Sequence, residues 1–511
     1  MKKNIVKTFL FMFSAIFLAK VLGLVRNIVF ANFYGTGFEA TAFFTASRIP
    51  LQLLDMSLGA AISSTFIPIF NEFLQKRGKE RAFEFANNFL NIIIVIALSL
   101  TLLGIIFAPQ IVSFIAPNLE ISTFELTIEL IKILFPIMLF TAVAYVFVGF
   151  LQSLDEFNIP AIISVVANGL LILYLVVFNN RFGIQGVAVA MLIGWGTQII
   201  VQLPAVIKKG FKYRFTINWK DDGIRKVFRL ALPILISTWV QPINNLVNMR
   251  LASGLEGGQA ISAIEYAYNL YLIIVGVFSY TLSNIIFPEL SKLTADDKKE
   301  SLRDLLNKSV KISMLFIIPM SVGIALLSNE IVKVIYERGE FTEHSTILTG
   351  GALFFYSFGM IGYGLMEILN KAFYAMQDSK TPMFVSGFAI ILNVLLSICL
   401  VRIIGYIGLP LAASITSIVT ALLMLYIVNH KNPGVVEKNS LSELIKIAIA
   451  GTVMSFVVIM VKKITITSTI MLLFCSIVAG ILIYFVTIFI LKSETLEMGK
   501  ELIQRKIRKN K

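Results

Sequence analysis

Charge is scarce in this chain. Asp, Glu, Lys and Arg make up 14% of its 511 residues, where a soluble protein with a wet surface carries about a quarter. Histidine and cysteine are rarer, at two each. His344 and His430 lie far apart in or near loops, so no metal-ligand spacing exists. Cys399 and Cys475 both fall inside apolar runs, which argues against a disulfide framework or a thiolate site. No Gly-Lys-Ser/Thr phosphate loop occurs, and ATP hydrolysis by that route is excluded. No catalytic constellation stands out either. The chain reads as something other than an enzyme, with no bound cofactor, and any transport must run on a coupling cation, the membrane potential or consumption of the substrate.

What is abundant is apolar. Hydrophobic residues make up 57% of the chain, 42 of them Phe, and the mean hydropathy is +0.85. Runs long enough to cross a ~30 Å hydrocarbon core recur along the whole length, and no stretch is polar enough for a separate soluble domain. The expected fold is an all-α polytopic membrane protein of about fourteen transmembrane helices. The first covers Thr8–Phe33 and the second Thr41–Phe73; the third and fourth cover Asn87–Ile115 and Thr123–Leu154. The fifth and sixth cover Ile159–Phe178 and Gly183–Ile207, and the seventh and eighth Val227–Ala252 and Ala260–Leu290. The ninth to twelfth cover Leu305–Leu327, Leu348–Met376, Thr381–Ile403 and Ile407–Val428, and the last pair Leu444–Val461 and Thr467–Leu491. Met1-Lys2-Lys3 before an apolar stretch resembles a signal peptide, but no small-residue cleavage site follows and Lys20 and Arg26 interrupt the run. It reads as a permanent helix.

The net charge of +14 does not point to nucleic acid, because the basic residues sit in short loops between apolar runs. The partner they suit is the lipid bilayer. Lys2, Lys3 and Lys7 precede helix 1, and Lys76, Arg77, Lys79 and Arg81 follow helix 2. Lys208, Lys209, Lys212, Arg214 and Lys220 follow helix 6; Lys298, Lys299 and Arg303 follow helix 8. Arg505, Lys506, Arg508, Lys509 and Lys511 form the tail. With an even number of helices all of these share one side, so both termini are expected in the cytoplasm. Arg181, Lys333, Arg338 and Arg402 are scattered on the other side, and Lys462 and Lys463 break the pattern.

An internal repeat is legible at an offset of about 220 to 222 residues. Phe66-Ile67-Pro68 recurs as Ile286-Phe287-Pro288, and Ile111-Val112 as Ile331-Val332. Pro160 opens helix 5 as Pro382 opens helix 11, with Asn168 and Asn393 following. Gly183-Ile184-Gln185-Gly186 matches Gly405-Tyr406-Ile407-Gly408. Two six-helix bundles in the same orientation follow, the arrangement of transporters that rock around a central site. The expected organisation is a first lobe over 1–210, a second over 211–432, and two additional helices with a basic tail over 433–511.

Ionisable residues inside membrane helices are the main functional signal, because an unpaired charge at mid-bilayer costs several kcal/mol. Lys20 and Arg26 lie in helix 1 with Gly23 between them, and Arg48 in helix 2 precedes Pro50. Together they could line a cationic cavity suited to a pyrophosphate, since guanidinium forks match phosphate oxygens; the other reading is that each snorkels or pairs internally. Asp55 is a salt-bridge partner or a cation ligand, with neither favoured. Arg250 and Glu265 are expected near the outer surface, and Glu367 to pair with Lys371 four residues on. Gln241, Asn244, Asn245 and Asn248 on helix 7 form a polar cavity wall or an interhelical hydrogen-bond seam. Pro50, Pro136 and Pro242 imply kinks or broken helices.

Several stretches resemble one known family. They are Leu22-Gly23-Leu24-Val25-Arg26-Asn27 with Tyr34-Gly35-Thr36-Gly37, Ala42-Phe43-Phe44 and Arg48-Ile49-Pro50; Ala372-Phe373-Tyr374-Ala375-Met376-Gln377-Asp378-Ser379-Lys380-Thr381-Pro382; and Arg338-Gly339-Glu340-Phe341-Thr342. The chain is similar in these to the MurJ (MviN) lipid II flippases of the multidrug/oligosaccharidyl-lipid/polysaccharide exporter superfamily. The resemblance implies a bacterial inner-membrane protein of cell-wall biogenesis, with other cell-wall synthesis proteins as partners. It would carry undecaprenyl-pyrophosphate-linked disaccharide-pentapeptide to the outer leaflet by alternating access. A cationic cavity between two lobes would hold the pyrophosphate and sugar, with the polyprenyl tail in a groove near helices 13 and 14. Arg26 matches the family's helix 1 arginine, and Lys20 and Arg48 stand at basic positions. Three departures stand out. Thr41 replaces a frequent acidic residue, Leu51-Gln52-Leu53-Leu54-Asp55 lacks a basic pair, and Tyr266-Ala267 is followed by Tyr268-Asn269 where many members have an Arg. Asn245 and Asn269 complete the candidate substrate-binding set. The cavity so keeps fewer cations than is typical, which leaves a flippase for another undecaprenyl-linked polysaccharide precursor, or a cation-coupled small-molecule exporter, as alternatives.

Overall fold

A computed structural model describes residues 2–51, 65–238, 240–296, 298–432, 434–435, 438–464 and 468–496. Asp55 and the tail cations from Arg505 onward lie outside the described residues, as does the side chain of Gln241. Everything regular is helical among the described residues, as expected where hydrocarbon offers the backbone no partner. The first half runs α1 (Lys2–Tyr34), α2 (Phe38–Arg48), α3 (Ile67–Lys76), α4 (Gly78–Ile106), α5 (Ala108–Ile115), α6 (Ile121–Leu134), α7 (Ile137–Ser153), α8 (Asn158–Val177), α9 (Asn179–Lys208), α10 (Asp222–Thr238) and α11 (Val240–Ala252). The second half runs α12 (Gln259–Ala295), α13 (Lys299–Leu326), α14 (Ser328–Tyr336), α15 (Glu343–Ala375), α16 (Lys380–Ile404), α17 (Gly408–Lys431), α18 (Lys438–Lys463) and α19 (Thr469–Ile490).

Eleven spans among the described residues are long and apolar enough to cross a membrane. The span Lys380–Lys431 holds two of the expected helices, α16 and α17. The expected second and seventh helices fall outside the set because they run through residues 52–64 and 239, which are not described. Fourteen helices therefore remain the consistent reading. Two expected helices prove to be broken. Helix 3 stops at Ile106 and resumes as α5, because Phe107 leaves the helical region and Pro109 can serve only in a first turn. Helix 4 divides at Phe135-Pro136 between α6 and α7, where a kink was expected.

The repeat is written into the backbone. Gly183 (φ 56°, ψ −150°) and Gly405 (φ 67°, ψ −148°) share a conformation open to glycine and hardly to other residues. Asp155 and Gln377 both take positive φ, 59° and 57°. At those two turns Glu156 N–H donates to the Leu151 carbonyl and Asp378 N–H to the Phe373 carbonyl, each at 2.9 Å. Gly35 and Gly257 match as well, with φ of 52° and 59°. Even a side-chain bond recurs: the Thr101 hydroxyl donates to the Phe135 carbonyl and the Ser321 hydroxyl to the Ser357 carbonyl.

By contact the chain forms two compact units, Met1–Ser262 with Arg338–Glu340, and Ala263–Glu337 with Phe341–Lys511. The first unit is centred at one end on a phenylalanine cluster in which Phe66, Phe70, Phe73, Phe85 and Phe150 are essentially inaccessible. In the second, α15 and α17 approach through Gly359 and Gly362; a Cβ at Gly362 would stand 2.3 Å from the Ser417 carbonyl carbon. The added pair α18 and α19 packs across Gly480, against Val458 and Met454. It is tied to α13 by the Tyr484 hydroxyl, which donates to the Leu315 carbonyl at 2.6 Å.

Candidate functional site

The hairpin of α1 and α2 carries three of the candidate cations. Gly35 turns the chain at positive φ, and Phe30 of α1 meets Phe43 and Phe44 of α2 at ring-centroid distances of 5.0 and 5.4 Å. One turn back from Phe30 is Arg26, and one turn on from Phe44 is Arg48. By helical rise, positions 26 and 48 each stand about 6 Å beyond the aromatic contact on their own helices. Each residue is half-buried, whereas Lys20 lies about 9 Å further along α1 and is exposed.

The orientation of Arg26 is fixed by amides. Its Nε and Nη2 donate to Asn27 Oδ1 at 3.2 and 3.0 Å, and its Nη1 to Asn168 Oδ1 of α8 at 3.1 Å. Asn168 is itself held by donating to the Ser164 carbonyl at 2.9 Å. Gly23 lies three residues from Arg26, on the same helix face, and a Cβ there would meet nothing within 4 Å. Space is therefore open at Gly23, on the helix face that also carries Arg26. The sequence had shown Asn168 only as a mark of the repeat. Its role as an arginine clamp becomes visible once α1 and α8 are packed.

The remaining candidates separate. Asn245 is half-buried on α11 in the first unit, with Asn244 and Asn248. Asn269 belongs to the second unit, where its Nδ2 donates to the Glu265 carbonyl at 2.9 Å and to Glu265 Oε1 at 3.4 Å. Thr41 is buried, its hydroxyl 2.8 Å from Ser262 Oγ and donating to the Gly258 carbonyl. A neutral hydroxyl satisfies those partners, so the departure from an acidic residue is locally self-consistent.

Other intramembrane charges resolve structurally. Arg250 is exposed; it donates to the Phe114 carbonyl and lies over the Phe114 ring at 5.3 Å. Glu367 accepts from Ser283 at 3.3 Å, and Lys371 lies over the Phe287 ring at 5.4 Å, so the expected Glu367–Lys371 pair gives way to these neighbours. Lys462, an exception to the loop-charge pattern, is paired with Glu330 at 2.7 Å. Outside the membrane spans, Asp378 would be pushed up by its burial, but bonds from Lys431 and Thr381 prevail and hold it down at about 2. Among the described residues no cluster of metal-ligating side chains occurs.

The family model described as Lipid II flippase MurJ matches residues 30–480. The chain belongs to the MurJ family. A probable lipid II flippase MurJ of Rickettsia prowazekii (strain Madrid E) is 28% identical over 492 residues, covering 93% of this chain and 96% of the relative. One from Vibrio cholerae is 26% identical over 464 residues, 89% of this chain and 88% of that one. A solved lipid II flippase MurJ in an inward closed conformation superposes with a TM-score of 0.82 at 27% identity, covering 93% of this chain and 97% of that one. An inward-facing multidrug resistance MATE transporter of the MOP superfamily shares the fold, with a TM-score of 0.69 at 14% identity over 83% and 98% of the two chains. The family is one of membrane transporters, and this chain is a multi-pass membrane protein.

Proposed function

We propose that this chain translocates lipid II, the undecaprenyl-pyrophosphate-linked peptidoglycan precursor, from the inner to the outer leaflet by alternating access. Arg26 carries the reading: a guanidinium half-buried within a membrane helix, clamped by two neutral amides, with open space at Gly23. Placing a charge there is costly, and the clamp presents a fixed fork to a diphosphate. Arg48 supplies the second cation and Lys20 a third, and Asn245 of the same unit an amide partner for the sugars. The driving force is a coupling cation or the membrane potential.

Ion pairs support an inside face. Arg77 reaches Asp222 at 3.6 Å, Lys226 reaches Glu72 at 3.1 Å, and Arg81 pairs with Asp221. The basic loops after helices 2 and 6 thus meet at one end of the first unit, as cytoplasmic loops of a bacterial inner-membrane protein with both termini inside would.

Binding of lipid II to the purified protein, with undecaprenyl monophosphate as comparison, tests the assignment. Lipid II should bind well above the monophosphate, and Arg26→Ala with Arg48→Ala should erase the difference. Equal affinities in the unaltered protein would contradict the pyrophosphate site. A preference for a different undecaprenyl-linked saccharide would keep the site and change the substrate.

A further inference from the structure

The segment joining α9 to α10 is an exposed strap with a fixed backbone. Residues 211–218 have no regular structure, yet three asparagines of α4, each under 5% exposed, hold them. Asn87 donates to the Lys212 carbonyl at 3.0 Å and accepts from Arg214 N–H at 2.7 Å. Asn91 donates to the carbonyls of Arg214 and Thr216 at 2.9 and 3.1 Å. Asn88 donates to the Asn218 carbonyl at 2.9 Å and accepts from its N–H at 2.7 Å. Asp221 closes the strap: it pairs with Arg81 and accepts from the N–H groups of Gly223 and Ile224 at the start of α10. Three buried amides so serve a segment that buries almost none of itself beyond Phe211.

Every residue from Lys212 to Lys220 is exposed. The sequence alternates, Lys212-Tyr213-Arg214-Phe215-Thr216-Ile217-Asn218-Trp219-Lys220, so polar and largely basic residues interleave with aromatic and apolar ones. Phe215 is 74% and Trp219 49% exposed, and Trp219 stacks on the exposed Phe228 of α10 at 5.9 Å. Residues 208–229 hold eight cations against two carboxylates, and both carboxylates, Asp221 and Asp222, are engaged by Arg81 and Arg77. Among the described residues Lys212, Arg214, Lys220, Arg225 and Arg229 have no ion-pair partner. Aromatic rings at the end of a membrane helix settle at headgroup level, and unpaired cations beside them attract acidic lipid.

We infer that this strap, with the first turns of α10, is a docking site for anionic phospholipid headgroups, separate from the substrate site. The lipid phosphates lie against Lys212, Arg214, Lys220, Arg225 and Arg229, and Phe215 and Trp219 enter the interface beside them. Because the Asn87–Asn88–Asn91 bonds fix the strap, this surface is preformed and does not pay for ordering a loop. Assigning it to the inner leaflet rests on the proposed orientation; the binding itself does not.

The test is native mass spectrometry of the purified protein titrated with phosphatidylglycerol or phosphatidylcholine of the same acyl chains. The unaltered protein should retain phosphatidylglycerol preferentially. Neutralising one strap cation should lower that preference roughly fivefold, and Lys212→Gln with Arg214→Gln and Lys220→Gln should lower it tenfold or more. Should the triple variant not fold, the preference of the unaltered protein must fall as salt is raised. In a Trp195→Phe, Trp239→Phe background, Trp219 should be quenched by lipids labelled at headgroup depth. Equal retention of the two lipids, a preference indifferent to salt or to the triple change, or an unquenched Trp219 would overturn the inference. None of these readouts involves lipid II, so its outcome is distinguishable from that of the proposed function.

Discussion

At the scale of the residue, Arg26 shows how much a sequence tells and where it stops. A lone arginine in an apolar helix is conspicuous because of its cost, and the residue was legible for that reason. Its partners were not, because Asn168 is 142 positions away and looks like any polar residue in a membrane helix. Arg26→Lys should keep the charge but reach one amide at a time, so transport should fall to an intermediate level while Arg26→Ala removes it. Measuring transport and thermal stability together separates that loss from unfolding. Asp378 supports a second prediction. Its carboxyl is held down at about 2, below the ordinary range near 4, so ionisation favours the folded state above the ordinary value. The stability margin over a Lys431→Met variant should be present at pH 7 and shrink as pH falls from about 4 toward 2. With Lys431 about half exposed the margin is of order 1 kcal/mol or less. A margin that grew on acidification would refute the sign.

At the scale of the element, glycine and buried carboxylate decide which helices can touch. Gly362 lets α15 and α17 approach to backbone contact. Gly362→Ala must push them apart and should destabilise the protein by about 1–3 kcal/mol, readable as a lower thermal midpoint in detergent. The pair α18 and α19 is joined at its ends by Glu443, 2% exposed, which accepts from Ser493, Thr495 and Lys446. Glu443→Ala leaves those donors unpaired and should cost about 2–3 kcal/mol, with faster hydrogen exchange confined to the hairpin's end. The strap was hidden from the sequence for a related reason. Its basic residues were visible as loop charges, but nothing local says that Asn87, Asn88 and Asn91, in a different helix, hold its backbone. The division at Phe135-Pro136 was legible because Pro136 announces it; the break at Phe107 was not, because the residue that leaves the helical region carries no mark of it.

At the scale of the whole molecule, the duplication was the most legible feature. It is carried by turn residues, and turns impose backbone conformations that few residues accept, so Gly183 and Gly405 keep both identity and geometry. Asp155 and Gln377 keep the geometry with different side chains, so a residue-by-residue comparison passes over them. Membership of the MurJ family ties the duplicated fold to transport; the tie to a diphosphate belongs to the role proposed for Arg26 and Arg48. The most direct measurement is complementation in a bacterium depleted of its own lipid II flippase, with lipid II exposed on the outer leaflet read directly. The account predicts that this chain restores outward exposure and growth, and that Arg26→Ala, inserted and folded, restores neither. Outward exposure that persists at full level with Arg26→Ala, or its absence with the unaltered chain stably in the membrane, would contradict it.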